Sequence, residues 1–171
     1  EGLFHDRRYN GSSDMESQMY TKAADIRAFL QEHRDKPFIC CEYTHYMGNS
    51  NGGMHKYTEL EDEEELYQGG FIWDYVDQAI SARDCRGKEA FLYGGDFGDR
   101  PSDYNFSGNG IVFADRRVTP KMQEVKFNYQ NFELLPDESG VKIVNKSLFT
   151  DADRYALVVS LLKDGVKVWE N

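Results

Sequence analysis

The sequence predicts an α/β fold with parallel strands, followed by a shorter all-β segment. Three observations point there. The runs Phe38-Ile39-Cys40-Cys41 and Phe71-Ile72-Trp73 are apolar without alternation, which is how strands covered on both faces read. Apolar residues at helical spacing fill the gaps, so strands and helices alternate in the βαβ order that gives parallel strands and right-handed crossovers. From Phe132 the pattern changes to short, alternating or β-branched runs separated by turn residues.

Each element has its own signal. Residues 1–13 are polar and aperiodic and are expected as a loop. Met15 to Tyr20 suits a short strand end. Thr21 opens a helix, because its hydroxyl can cap the first turn and Ala23, Ala24, Ile26, Phe29, Leu30 and His33 follow at helical spacing. Pro37 closes it, since the residue before a proline disfavours helix. The next strand stops at Glu42, and a polar, glycine-rich stretch over 44–53 leads into a helix over 54–67. Its acidic run, residues 59–65, reads as a solvated face. Gly69-Gly70 resets the backbone before a strand over 71–77. Residues 81–93 suit a hairpin turning at Cys85-Arg86-Gly87, and 94–110 a long loop of Gly, Asp and Asn. Loops of that length inside a domain are usually functional. A helix over 119–130 has Pro120 at its first position. Strands at 132–135, 141–144 and 155–162 follow, and Asp164-Gly165 turns a last hairpin. About four strands are too few for a complete immunoglobulin-like sandwich, so this stretch is expected as the opening of one.

Composition narrows the function classes. The chain has 171 residues, 20 basic and 30 acidic, for a net charge of −10. Nucleic acid and anionic membranes both call for basic surfaces, so neither is an expected partner. No apolar run approaches the roughly 20 residues of a transmembrane helix. The first ten residues lack the basic and apolar regions of a signal peptide. Cys40, Cys41 and Cys85 lack zinc-site spacing and are expected as buried free thiols.

The chemistry concentrates at strand ends. In a parallel barrel, functional groups sit at the C-terminal ends of the strands and in the loops beyond. Glu42, Trp73 and Asp77 fall there, with His45 just after Glu42 and Asn109 in the long loop. A carboxylate beside a tryptophan is a sugar-site composition, since the apolar sugar face stacks on the ring. From these residues alone a buried, hydrogen-bonded Glu and a core Trp is the reading favoured over the sugar site. Glu42-x-x-His45 has a spacing used by carboxylate-bridged metals, but those need helices and paired copies. No Gly-x-Ser-x-Gly elbow is present, and Gly94-Gly95-Asp96-Phe97-Gly98 lacks the Gly-Lys ending of a phosphate loop. His5, His33 and His55 read as surface or interface groups.

Four blocks in order carry a resemblance: Cys41-Glu42-Tyr43-Thr44-His45-Tyr46-Met47-Gly48-Asn49-Ser50, Gly69-Gly70-Phe71-Ile72-Trp73-Asp74-Tyr75-Val76-Asp77-Gln78, Tyr93-Gly94-Gly95-Asp96-Phe97-Gly98-Asp99 and Asn109-Gly110-Ile111-Val112-Phe113-Ala114-Asp115-Arg116. Together with Met19-Tyr20 they resemble bacterial β-galactosidases of glycoside hydrolase family 2. The likeness is strong over residues 36–123 and weak beyond. The Glu-Tyr-x-His-x-Met-Gly-Asn form resembles galactosidases more than the related β-glucuronidases and β-mannosidases.

The resemblance implies the C-terminal part of a (β/α)8 TIM barrel over residues 1–131, then the first strands of an immunoglobulin-like β-sandwich over 132–171. A whole barrel needs about 250 residues. The implied reaction is retaining hydrolysis of terminal β-D-galactose from galactosides such as lactose, through a covalent galactosyl-enzyme. Glu42 would be the nucleophile, Tyr20 would hydrogen-bond it, His45 would bind galactose hydroxyls and Trp73 would floor the pocket. The Phe106 carbonyl and the Asn109 side chain would help hold Na⁺, and Asn109 would also serve the sugar site. The acid/base Glu and the Mg²⁺ ligands of the family are expected upstream, which leaves this chain inactive alone. A homo-oligomeric, cytoplasmic parent is the matching expectation. The rival is a non-catalytic carbohydrate-binding or structural module.

Overall fold

The computed structural model describes residues 12–171, so most of the loop expected at the start, and His5, lie outside the described residues. The chain divides into two compact units, Glu1–Tyr129 and Gln130–Asn171.

The first unit opens β1 (Glu16–Met19), α1 (Ala23–Glu32), β2 (Phe38–Tyr43), α2 (His55–Glu63), β3 (Tyr67–Ile72). The three strands form one sheet in the order β1-β2-β3, and both pairings are parallel. That is the layout the alternation of apolar runs and helical spacing requires. Ile26 and Leu30 of α1, Phe38, Cys40 and Tyr43 of β2, Leu60 of α2 and Tyr67 of β3 are buried in a common core. Aromatic rings tie it together: Phe29 meets Phe38 edge-on at 5.6 Å and Tyr43 meets Tyr57 at 5.0 Å. Each such side chain removed from water contributes roughly 1.5–3 kcal/mol.

Three sequence expectations need correction. Thr21 does not cap α1; its hydroxyl donates to the Gln18 side chain at 2.9 Å, and Lys22 is the first flanking residue, without a side-chain cap. The acidic run is not merely solvated. Arg27 of α1 pairs with Glu63 of α2, and just past the two helices Arg34 reaches Glu64 at 2.7 Å and Glu65 at 3.3 Å, so an exposed run also carries ion pairs. The chain leaves the helix at Glu64, which is extended, and β3 starts at the buried Tyr67 rather than after the glycines. Gly69 and Gly70 lie inside that strand. A Cβ on Gly70 would come 2.9 Å from the Cys40 carbonyl, so the glycine answers a close backbone approach.

The unit continues with the hairpin β4 (Ile80–Arg83) and β5 (Glu89–Leu92), turned where the sequence places it. Asp84 accepts from the Arg86 and Lys88 amides at 2.9 Å each, and Gly87 takes φ +76°. Cys85 at this tip is exposed, whereas Cys40 is buried and Cys41 half-buried, so the expectation of three buried thiols fails at the turn. In the long loop and beyond, Val112 bridges Val76 in parallel and Val118 antiparallel. The last helix, α3 (Met122–Asn128), begins later than its spacing predicts. Thr119 is held outside it, its hydroxyl donating to the Ile111 carbonyl at 2.7 Å.

The second unit consists of two antiparallel hairpins, β6 (Phe132–Asp137) with β7 (Gly140–Asn145) and β8 (Ser160–Lys163) with β9 (Val166–Glu170). Asp137 accepts from the Ser139 and Gly140 amides, and Asp164-Gly165 takes two positive φ values, the geometry favoured in two-residue hairpin turns. The strand expected over 155–162 starts only at Ser160. A short 3-10 turn, Ala152–Arg154, precedes it, and Tyr155 packs edge-on against Phe132 at 4.8 Å. No helix among the described residues is long and apolar enough to cross a membrane.

Candidate active site

The ends of β1, β2 and β3 bring the site together. Glu42 is the penultimate residue of β2, half-buried, with its carbonyl and its carboxylate both engaged by Tyr20. The Tyr20 amide donates to the Glu42 carbonyl at 2.8 Å, and the Tyr20 hydroxyl donates to Oε2 at 2.9 Å. Tyr20 reaches this pose through a positive φ of +54° just past β1. Burial, and then the hydrogen bond and charge of Glu42, raise the Tyr20 phenol above its ordinary range. The phenol therefore stays protonated and remains a donor to the carboxylate. From behind, the Cys40 thiol contacts the Glu42 carbonyl at 3.4 Å, and burial pushes that thiol up to about 11.

His45 follows three residues later. Its Nδ1 accepts from the Met47 amide at 3.1 Å, which puts the proton of the neutral imidazole on Nε2. That Nε2 is buried and has no partner among the described residues. A buried donor without an acceptor is costly, so the ring is built to receive an oxygen from outside. The His45 ring lies 5.3 Å from Phe106 and 6.0 Å from Tyr20, so three of the residues singled out in the sequence share one neighbourhood with the Glu42 carboxylate.

Trp73 sits one residue past β3, not within it. Its carbonyl accepts from the Tyr46 amide at 2.8 Å, which joins it to the His45 segment. Its indole is held by Asn109, which is fully buried. With the carboxamide oriented to satisfy both ends, Oδ1 accepts from Trp73 Nε1 at 3.0 Å and Nδ2 donates to the Ser107 carbonyl at 3.2 Å. The Asn109 carbonyl accepts from the Asp74 amide at 2.8 Å. Asn109 thus orients the tryptophan through side chain and main chain together.

The other carboxylates have local duties. Asp74 accepts from the Tyr75 amide and from Gln78, Asp96 from the Tyr93 amide, and Asp77 from the Gly110 amide at 2.8 Å. Sequence reasoning missed Cys40, Met47 and Ser107 as supports. Each acts through a thiol or main-chain atom that carries no motif, and only the neighbouring motif residues hint at them. Among the described residues, no group of three or more His, Cys, Asp or Glu is arranged to hold a metal.

A half-buried carboxylate at a parallel strand end, a tyrosine donor on it, a histidine with an open N–H and an oriented indole gather beyond the C-terminal ends of β1, β2 and β3, where α/β barrels carry their functional groups. The model of "Glycosyl hydrolases family 2, TIM barrel domain" matches residues 4–134, and the chain belongs to that family. The chain is 59% identical over 169 residues to a β-galactosidase of Halalkalibacterium halodurans, covering 99% of this chain and 17% of that protein. It is 59% identical over 150 residues to a β-galactosidase of Clostridium acetobutylicum, covering 88% and 17%. A β-galactosidase large subunit of Latilactobacillus sakei is 53% identical over 131 residues, covering 75% and 21%. The chain therefore spans about a fifth or less of the length of these relatives.

Proposed function

We propose that this chain is the nucleophile-bearing portion of a retaining β-galactosidase. The observation that carries the reading is the Glu42 carboxylate at the end of β2, held through Oε2 by Tyr20 beside the open Nε2–H of His45. Tyr20 leaves Oε1 to attack the anomeric carbon as the glycosidic C–O bond breaks. A second carboxyl group, from outside this chain, protonates the departing oxygen and then activates water, as retaining hydrolysis needs. His45 donates to a sugar hydroxyl, and Trp73 offers its face to the apolar side of the ring. The relatives' names support a β-galactoside such as lactose over a glucuronide or mannoside. The same names favour catalysis over a purely sugar-binding or structural module.

For Na⁺, the Phe106 carbonyl and Asn109 Oδ1 are hard oxygens of the right kind, and the bond to the indole leaves Oδ1 one lone pair. Bound there, the ion would help hold a sugar hydroxyl. For Mg²⁺ the described residues supply no ligand cluster, and no step here uses it. We further read residues 1–131 as the closing part of the barrel and 132–171 as the first strands of an immunoglobulin-like sandwich, supported by the change from parallel strands to hairpins. A cytoplasmic, homo-oligomeric parent completes the proposal.

The test uses the full-length protein. A 2-deoxy-2-fluoro-β-galactoside with a good leaving group is expected to add its glycosyl mass to the peptide carrying Glu42. Glu42→Gln should abolish the label and lower aryl β-galactoside turnover on the order of 10⁴-fold or more. A label on another residue, or turnover surviving the substitution, removes the assignment.

A further inference from the structure

We propose that Lys121 is a positioning residue for His45, acting through the main chain of Tyr46. Lys121 immediately precedes α3, some distance in sequence from the strand ends. Its ammonium donates to the Tyr46 carbonyl and also stands over the Tyr46 ring, 5.3 Å from the centroid. On its other side, the Tyr46 peptide is held by its amide, which donates to the Trp73 carbonyl at 2.8 Å. Residue 46 is therefore fixed from both faces, toward β3 by one bond and toward α3 by the other. His45 is the preceding residue, and Met47, whose amide sets the imidazole tautomer, is the following one. The clamp sits at the centre of the three-residue unit that aims Nε2.

Two further facts make the placement purposeful. A cation just before a helix meets the positive end of the helix dipole, so Lys121 is poorly placed for α3 itself. The Tyr46 carbonyl and ring supply what the helix does not. Tyr46 is fully buried and packs in the same core as Val125 of α3, so helix and loop cannot drift apart without opening that core. Burial lowers the Lys121 ammonium from the ordinary lysine value while Asp77 raises it, which places the group in a restricted, charged setting rather than in free solvent.

The inference rests on the reading of this site as a galactoside site, and the experiment separates the two. In the full-length protein, turnover of an aryl β-galactoside by the unsubstituted enzyme is the control; without it, the site reading fails first. Given that activity, Lys121→Met is expected to lower kcat/KM roughly tenfold, the scale of a lost bond from a charged donor. Lys121→Arg should recover most of it, and Lys121→Gln should fall between. The decisive step repeats Lys121→Met in a His45→Ala background, where the further loss should shrink to less than about twofold because the clamp has nothing left to aim. Equal losses in both backgrounds, or no loss in the first, would overturn the proposal. If Lys121→Met fails to fold, the same cycle with Lys121→Gln decides it.

Discussion

β2 in the first unit and β8 in the second are both short apolar strands, and they end in opposite surroundings. β2 is paired on both sides and leaves Phe38, Cys40 and Tyr43 fully buried. β8 has one partner and leaves Leu161 and Leu162 more than half exposed. The difference lies in what the nearby chain supplies. Within a few tens of residues of β2 stand two helices and two strands whose apolar faces close over it. The segment Gln130–Asn171 supplies only hairpins, and a two-stranded hairpin has no second layer to bury its apolar face. Local pattern therefore sets the strand, while burial depends on which neighbours the chain carries.

The widest contrast is expected in the cores. Leu60→Ala should destabilise by about 2–5 kcal/mol, since Leu60 is fully buried. Leu161→Ala should cost less than about 0.5 kcal/mol, as at an ordinary surface site. Denaturant midpoints measure both, and equal losses would break the comparison. Glycines give a smaller contrast. A Cβ on Gly110 would lie 2.2 Å from the Asp77 amide nitrogen and 2.3 Å from the Val112 carbonyl. Gly110→Ala should cost about 1–3 kcal/mol from overpacking and displace Asn109. Gly165, at φ +78° in open space, should lose only about 1 kcal/mol to the backbone conformation on the same substitution.

The smallest effect per group is a pH response confined to the first unit. Burial raises the phenols of Tyr20, Tyr43, Tyr46 and Tyr67 and the thiol of Cys40 above their ordinary values. A raised value means the folded state holds the proton longer than the unfolded chain. The stability from these groups is fully present below the unfolded values and is lost as pH rises past them. For Cys40 the window runs from 9.0 to about 11, and the tyrosines follow from 10.0 upward. By pH 10 the tyrosines' share of the stability has begun to fall as well. Hydrogen exchange should show β2 and α1 amides losing protection between pH 8 and pH 10.5. Unchanged protection there would contradict the burial of these groups.

Much of this was legible in the sequence. The order of elements in the first unit follows from apolar runs and helical spacing, because those patterns reflect burial by neighbours close in the chain. Glu42 and His45 stood out from their place at and just past a strand end, Tyr20 came from the resemblance, and the geometry brings the three together. What stayed hidden was of another kind. The Gly69-Gly70 pair reads as a reset of the backbone before a strand, yet both lie inside β3 and Gly70 answers a close approach to Cys40 on β2. Thr21 reads as a helix cap, yet Gln18 competes for its hydroxyl. The acidic run reads as solvated because its arginine partners, on and just after α1, lie some thirty residues earlier in the chain. Lys121 carries no motif at all, since its role is made by a carbonyl 75 residues away. Local signals report local partners; Gly70, the acidic run and Lys121 depend on distant ones, and Thr21 on a nearby competitor that its spacing does not reveal.

The chain holds two tryptophans, and the architecture gives one to each unit. Trp73 is hydrogen-bonded through its indole beside the site, while Trp169 on β9 is half exposed. Their emission should therefore differ in colour, the half-buried, hydrogen-bonded indole bluer and the more exposed one redder. Replacing Trp169 with phenylalanine would leave Trp73 as the one tryptophan of this stretch, an intrinsic lamp beside Glu42 and His45 that needs no added dye.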